Sequence, residues 1–93
     1  MLATIGKWSI LVKGGGTFFV WDDHNIDHLE MHRIAPFEAE EVFFNPYVVT
    51  PNKKRHGARR LRIDGVTDQG RYLRLIFEDL GHEMARIITG WDI

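Results

Sequence analysis

Apolar and polar residues change their period near the middle of this chain. Between residues 22 and 44, Ile26 and Leu29 recur at a spacing that places both within about 60° of each other on an α-helix. Beyond residue 58, apolar and polar residues alternate in three runs separated by two glycine-containing turns, as expected of half-buried strands. The pattern predicts a helical first half followed by a β-rich second half.

Capping residues mark the ends of two predicted helices. Asp22 is a suitable N-cap because its carboxylate accepts hydrogen bonds from the free N–H groups of a first turn, so the first helix is predicted over residues 23–33. Pro36 suits the first position of a second helix, where its missing N–H costs nothing. Asn45-Pro46 is expected to end that helix.

Four strands are predicted after the helices, over residues 47–50, 59–66, 72–78 and 84–91. Sequential strands joined by short turns, with no helix between the last of them, favour an antiparallel meander. The predicted fold class is therefore α+β, with two N-terminal helices packed on a small antiparallel β-meander sheet.

The start of the chain contains a second apolar feature. Residues 7–13 and residues 17–21 are two runs of strand length separated by Gly14-Gly15-Gly16. The two runs form a hairpin across the glycines, or the first is an arm outside the domain. We expect an extra N-terminal strand or arm over residues 1–16 and a single α+β domain over residues 17–93.

Composition changes this picture in one respect. The chain has 93 residues, no cysteine and a net charge of −1, which excludes a disulfide framework and disfavours a nucleic-acid partner. No apolar run approaches the ~20 residues of a membrane helix. However, residues 22–44 contain seven acidic residues and one basic residue, whereas residues 45–86 contain nine basic and five acidic residues. A basic binding face is therefore compatible with a nearly neutral chain.

Strand alternation gathers the basic residues of the predicted sheet on one surface, because successive side chains point to opposite faces. Like charges on adjacent strands repel each other, so the cluster needs an anionic complement. A phosphate group suits the planar guanidinium fork, whereas Asp64, Glu78 and the acidic helices offer internal neutralisation. Four arginines are predicted on this surface: Arg60, Arg62, Arg74 and Arg86.

Three histidines recur at every fourth position: His24, His28 and His32. On a continuous helix they would form one stripe. A pair of them suits Zn²⁺ or Ni²⁺, but only Asp27, His56 and His82 are available as further ligands, and we predict no metal or other cofactor. One histidine near the arginines would suit general acid–base catalysis. The alternative to both roles is that the three histidines are simply partly exposed helix residues.

Several short motifs occur in a recognisable order over residues 21–91. They are Trp21-Asp22, His28 with His32, the Phe-Glu-Ala-Glu-Glu-Val-Phe segment at 37–43, Asn45-Pro46, Arg60 five residues before Gly65, Gly70-Arg71, and Arg86-Ile87-Ile88-Thr89. In this order the chain resembles the BrnT family of bacterial type II toxins.

The resemblance implies a RelE-like fold and a toxin-like ribonuclease of a toxin–antitoxin system, cytoplasmic and neutralised by an antitoxin of the BrnA type. It implies metal-independent RNA cleavage, in which the RNA 2′-OH is the nucleophile and arginines stabilise the charged phosphorus. The catalytic residues would be His32, Arg60 and Arg86. The implied substrate-binding residues are His28, Arg62, Arg71 and Arg74.

The chain departs from the family pattern at three places. Met31 and Arg33 flank His32 where the family has a basic residue and a glycine, a basic C-terminal helix has no counterpart after Ile93, and residues 1–16 have no counterpart. We therefore expect weak or lost activity, or a homodimer that completes the surface through the apolar residues 8–12. The alternative is a non-catalytic module that dimerises or binds a protein partner.

Overall fold

The computed structural model describes residues 17–52 and 60–93. The elements follow one another as β1 (Phe18–Phe19), α1 (Asp23–Glu30), α2 (Pro36–Phe44), β2 (Tyr47–Pro51), β3 (Arg60–Val66), β4 (Tyr72–Gly81) and β5 (Met84–Asp92). The α+β class predicted from the sequence is confirmed.

The sheet has the strand order β1-β5-β4-β3-β2. Strands β2 to β5 form the antiparallel meander that the turns predicted. The expectation of a wholly antiparallel sheet is wrong, because β1 pairs with β5 in parallel. Of the predicted run at residues 17–21, only Phe18 and Phe19 form a strand. Hydrogen bonds from Phe18 N to Glu83 O (2.8 Å) and from Val20 N to Ala85 O (3.0 Å) hold this segment against β5. The predicted partner run at residues 7–13 lies outside the described residues.

Helix α1 begins at the predicted cap. Asn25 N donates to Asp22 Oδ1 (3.1 Å), and Asp22 N donates to Asn25 Oδ1 (2.8 Å), which closes a capping box. The helix ends at Glu30, three residues early, because Arg33 takes a left-handed conformation with φ 57°. Ile34 N then donates to Leu29 O (3.0 Å), so a carbonyl at the helix end is satisfied.

The buried side of α1 differs from the expected apolar stripe. Leu29 is buried, but Ile26 is only half-buried and the second buried residue is Asn25. Its Nδ2 donates to the carbonyls of Val20 and Ile87, both at 2.9 Å. A buried polar group is tolerated where its hydrogen bonds are made, so Asn25 joins β1, α1 and β5.

Helix α2 has the limits predicted from the sequence. Pro36 opens it, and Glu38 Oε1 accepts from Ala35 N (2.9 Å). Asn45 follows its last residue, and its Nδ2 donates to Val66 O at the end of β3 (2.9 Å). The helix is thereby fixed to the sheet at its C-terminal end.

Both helices pack against the same face of the sheet. The core consists of Leu29, Ile34, Ala39, Val42, Phe43, Leu61, Ile63, Leu73, Leu75, Phe77, Ala85 and Ile87. Glycines permit the close approach: a Cβ on Gly65 would lie 2.9 Å from Val42 Cγ1, and a Cβ on Gly90 would collide with Leu75. The opposite surface, which we call the open face, carries the alternate residues of β3, β4 and β5. No helix or strand of the described ranges lies over it.

The last hairpin is longer than the alternation indicated. Strand β4 continues to Gly81, and the turn consists of His82 and Glu83, with φ 52° and 63°. A register shift between Ile76 and Phe77 bulges the pairing with β5, so that Thr89 and Trp91 share the open face. Strand β2 extends one residue beyond the predicted end, to Pro51.

We expect Asn25→Ala to destabilise the protein by about 2–3 kcal/mol, because it removes the donor to the carbonyls of Val20 and Ile87, the second of them buried, and also removes the capping box. Urea unfolding followed by circular dichroism measures the change. Asp27→Ala, at an exposed position of the same helix, is the control and should change stability by less than about 0.5 kcal/mol. Equal losses in the two variants would contradict the assigned role of Asn25.

Candidate nucleic-acid interface

The strand register places the predicted arginines on the open face. Glu78 of β4 is opposite Arg60 of β3 on one side and Arg86 of β5 on the other. The next row contains Arg62, Ile76 and Thr89. A third row contains Asp64, Arg74 and Trp91. The face placement of all four arginines is therefore confirmed.

Two of these arginines are neutralised within the protein. Arg74 binds Asp64 through both arms of its fork, with Nε–Oδ1 at 2.8 Å and Nη2–Oδ2 at 2.9 Å. The hydrogen bonds from Arg74 lower the pKa of the Asp64 carboxyl, and the charge of Arg62 lowers it further. The same pairing raises the pKa of Arg74.

Arg86 is neutralised by a residue that strand alternation did not indicate. Its Nη2 lies 2.8 Å from Oδ2 of Asp22, the N-cap of α1. The pKa of Asp22 is lowered mainly by the hydrogen bond from the Asn25 backbone, and also by the charge of Arg86. Arg86 therefore ties the start of β5 to the start of α1.

Arg60 and Arg62 differ from the other two arginines of the open face, because no carboxylate of the described residues pairs with them. Within residues 17–52 and 60–93, neither guanidinium forms an ion pair. The Nε atoms of both are buried and have no hydrogen-bond partner in the part of the chain that the structure describes. Glu78 faces Arg60 across the strands, but no ion pair joins them. Internal neutralisation is therefore incomplete, and the uncompensated charge lies on β3.

Arg71 does not contribute to this surface, because its guanidinium is fully occupied. Nε and Nη2 donate to the carboxylate of Asp92 (2.7 and 3.1 Å), and Nη1 donates to Glu38 (3.1 Å). Nη1 and Nη2 also donate to the carbonyls of Arg33 (2.7 Å) and His32 (3.1 Å). These contacts use all five N–H groups of an arginine, so Arg71 joins the helices to the end of the sheet.

His32 is not brought to the catalytic arginines that the family resemblance implied. It follows α1, is exposed, and its ring centroid lies 6.5 Å from that of Trp91 near the end of β5. The row of Trp91 and the row of Arg86 are four residues apart on β4, from Arg74 to Glu78, which is about 13 Å along the strand. Since Arg60 and Arg86 share the row of Glu78, the structure places His32 beside a different row from theirs.

The histidine stripe is interrupted for the same reason. His24 and His28 lie on α1 with ring centroids 4.8 Å apart, on the covered side of the sheet. His32 lies beyond the end of the helix, so the three rings do not continue one stripe. In the described ranges no group of three histidine or carboxylate side chains is placed to hold a metal ion. His56, considered as a further ligand, lies outside those ranges.

An exposed tyrosine lies on the open face, and the predicted arginine pattern does not include it. Tyr72 begins β4 and is 62% exposed. It precedes Arg74 by two residues, so alternation places it on the open face. Extending the arginine pattern by one position along β4 would have identified it.

Comparisons with known proteins give no match: no family model, no curated protein and no solved structure matches this chain. Among the described residues, neither helix has the length and apolar character needed to cross a membrane. Proposals about function therefore depend on the geometry of the open face and on the motifs in the sequence.

Arg71→Lys should destabilise the protein by about 2 kcal/mol, because a lysine retains the charge but cannot reproduce five hydrogen bonds in a plane. Urea unfolding at neutral pH measures the difference. Arg62→Lys is the matched control, since Arg62 has no ion-pair partner among the described residues. If Arg71→Lys and Arg62→Lys had the same free energy of unfolding, the assigned role of Arg71 in joining the helices to the sheet would be wrong.

Three of the acids that pair with arginines predict a loss of stability in acid. Hydrogen bonds from Arg71 lower the pKa of Asp92, and the pKa values of Asp22 and Asp64 are also lowered. A lowered native pKa stabilises the fold above the unfolded value of about 4, and that stability is lost as pH falls through the native pKa. Urea midpoints should therefore be constant from pH 7 to about 5 and fall below about pH 4. The fall should be shallower in Asp64→Asn, and a flat profile for the unmodified chain would contradict the pairing.

Proposed function

We propose that the open face binds the phosphate backbone of single-stranded RNA, and that the protein is a toxin-like ribonuclease with a RelE-like plan. The observation that carries the proposal is the pair of uncompensated guanidiniums, Arg60 and Arg62. They are two residues apart on β3, so their Cα atoms are separated by roughly 6.6 Å. That separation suits two neighbouring phosphates of an extended strand, each of which accepts a guanidinium fork.

The cleavage chemistry is supplied by the row that contains Arg60. The RNA 2′-OH attacks the adjacent phosphorus, the P–O5′ bond breaks, and a 2′,3′-cyclic phosphate and a 5′-OH form. Glu78 accepts the 2′-OH proton, and the leaving 5′-oxygen takes a proton from solvent. Arg60 stabilises the negative charge that develops on the phosphorane oxygens.

Glu78 takes the proton-transfer role that the family resemblance gave to His32. Glu78 lies in the same row as Arg60 and Arg86, whereas His32 is beside Trp91 at the other end of β5. A general base must lie within hydrogen-bond reach of the proton that it removes. Position therefore favours Glu78 among the groups considered.

Arg62→Ala should weaken binding of a fluorescein-labelled single-stranded RNA about tenfold in anisotropy titrations. The slope of log K against log salt should fall by about 0.7, the amount expected for one lost phosphate contact on a single strand. Arg33→Ala is the matched control, because it removes an exposed arginine from the helical side of the molecule. An unchanged affinity and slope in Arg62→Ala would overturn the binding proposal.

Glu78→Gln should retain RNA binding and reduce cleavage by about 10²-fold or more, as expected when a general base is lost. Gel analysis of end-labelled RNA, with detection of the cyclic phosphate, measures both the rate and the product. Binding without cleavage by the unmodified protein would support the alternative, a non-catalytic module. The antitoxin partner and the homodimer stay predictions from the sequence, since the arm expected to form the dimer lies in residues 1–16.

A further inference from the structure

An apolar groove lies on the open face, at the end of the sheet remote from Glu78. It has a volume of about 320 Å³ and is lined by Val48, Asp64, Tyr72 and Ile93, among others. Val48, Tyr72 and Ile93 are 64%, 62% and 56% exposed. These are three of the most exposed large apolar side chains of the described residues, and they lie together on one concave surface.

The groove continues the row pattern of the open face. Val48 is paired with Asp64, and Tyr72 is paired with Val66 at the end of β3. Ile93 N donates to Tyr72 O (3.2 Å), which holds the residue after β5 beside the tyrosine. The tyrosine is therefore positioned by backbone pairing on both sides while its ring stays accessible.

The distance to the free arginine fits a nucleotide strand. Val66, the partner of Tyr72, follows Arg62 by four residues on β3, which is about 13 Å along the strand. If one phosphate of an RNA strand is bound at Arg62, about two nucleotides of that strand span the distance to the groove. The carboxylate between them, Asp64, is neutralised by both arms of Arg74, so it does not repel an anionic strand.

We propose that this groove binds one unpaired nucleobase of RNA, stacked on the ring of Tyr72. The inference depends on the proposed binding of RNA through Arg60 and Arg62. Proteins that bind single strands combine a positive track for the backbone with aromatic rings on which bases stack. The open face has both components: the guanidiniums on β3 and an exposed ring with apolar walls. An apolar groove beside a positive track fits a nucleobase on an anionic strand.

The test compares two probes, an eight-nucleotide single-stranded RNA and inorganic polyphosphate, which has the charge but no bases. Tyr72→Leu should weaken RNA binding about 5- to 100-fold, the range for loss of one stacked base, and leave polyphosphate binding unchanged. Tyr72→Phe should bind RNA as the unmodified chain does. Phe37→Leu, at an exposed aromatic residue of α2, is the matched control and should change neither affinity.

The stacking itself is observed with 2-aminopurine placed at each position of the RNA in turn. One position should be quenched on binding to the unmodified protein and to Tyr72→Phe, but not to Tyr72→Leu. If RNA binding depends on Arg62 but Tyr72→Leu binds normally, the base site is wrong and the backbone proposal stands. If the protein binds neither probe, both are wrong. Equal weakening of RNA and polyphosphate by Tyr72→Leu would assign Tyr72 a structural role and overturn the base site.

Discussion

The arrangement of this protein depends on the five hydrogen bonds of Arg71. They join the carboxylates of Glu38 and Asp92 to the carbonyls of His32 and Arg33, and so fix the connection between the helices to one end of the sheet. Hydrogen bonds to charged groups are among the stronger contributions to stability. Because the guanidinium has no N–H left for a ligand, a residue that the family resemblance placed in substrate binding serves the fold.

Asn25 performs the corresponding task at the other end of β5. Its amide reaches Val20 and Ile87 while its oxygen caps its own helix. These two polar joints hold both helices on one face, and no described helix or strand lies over the other. The acidic half and the basic half of the chain also meet at such joints, since Asp22 pairs with Arg86 and Glu38 with Arg71. Among the described arginines of the open face, Arg60 and Arg62 have no ion-pair partner, which is why β3 is where an anion is proposed to bind.

Local sequence predicted the parts of the fold that depend on neighbouring residues. Asp22, Pro36 and Asn45 mark the helix limits that they were expected to mark, because caps act within one turn. Local sequence did not predict the features that depend on contacts between distant residues. Helix α1 ends at Glu30, where Arg33 turns into the left-handed region and its carbonyl accepts from Arg71. The parallel pairing of β1 also depends on a strand more than sixty residues away.

For the candidate site, strand alternation indicated which residues share the open face, since alternation is a property of each strand. It did not determine which of those arginines are free, because Asp22 and Asp64 come from different elements and reach only some of them. Nor did it determine that His32 lies beside Trp91 and not in the row of Arg60, since the position of a residue between two helices depends on how the helices pack on the sheet. Charge pairing and the distance between elements are set by packing, and they become known only when the fold is known.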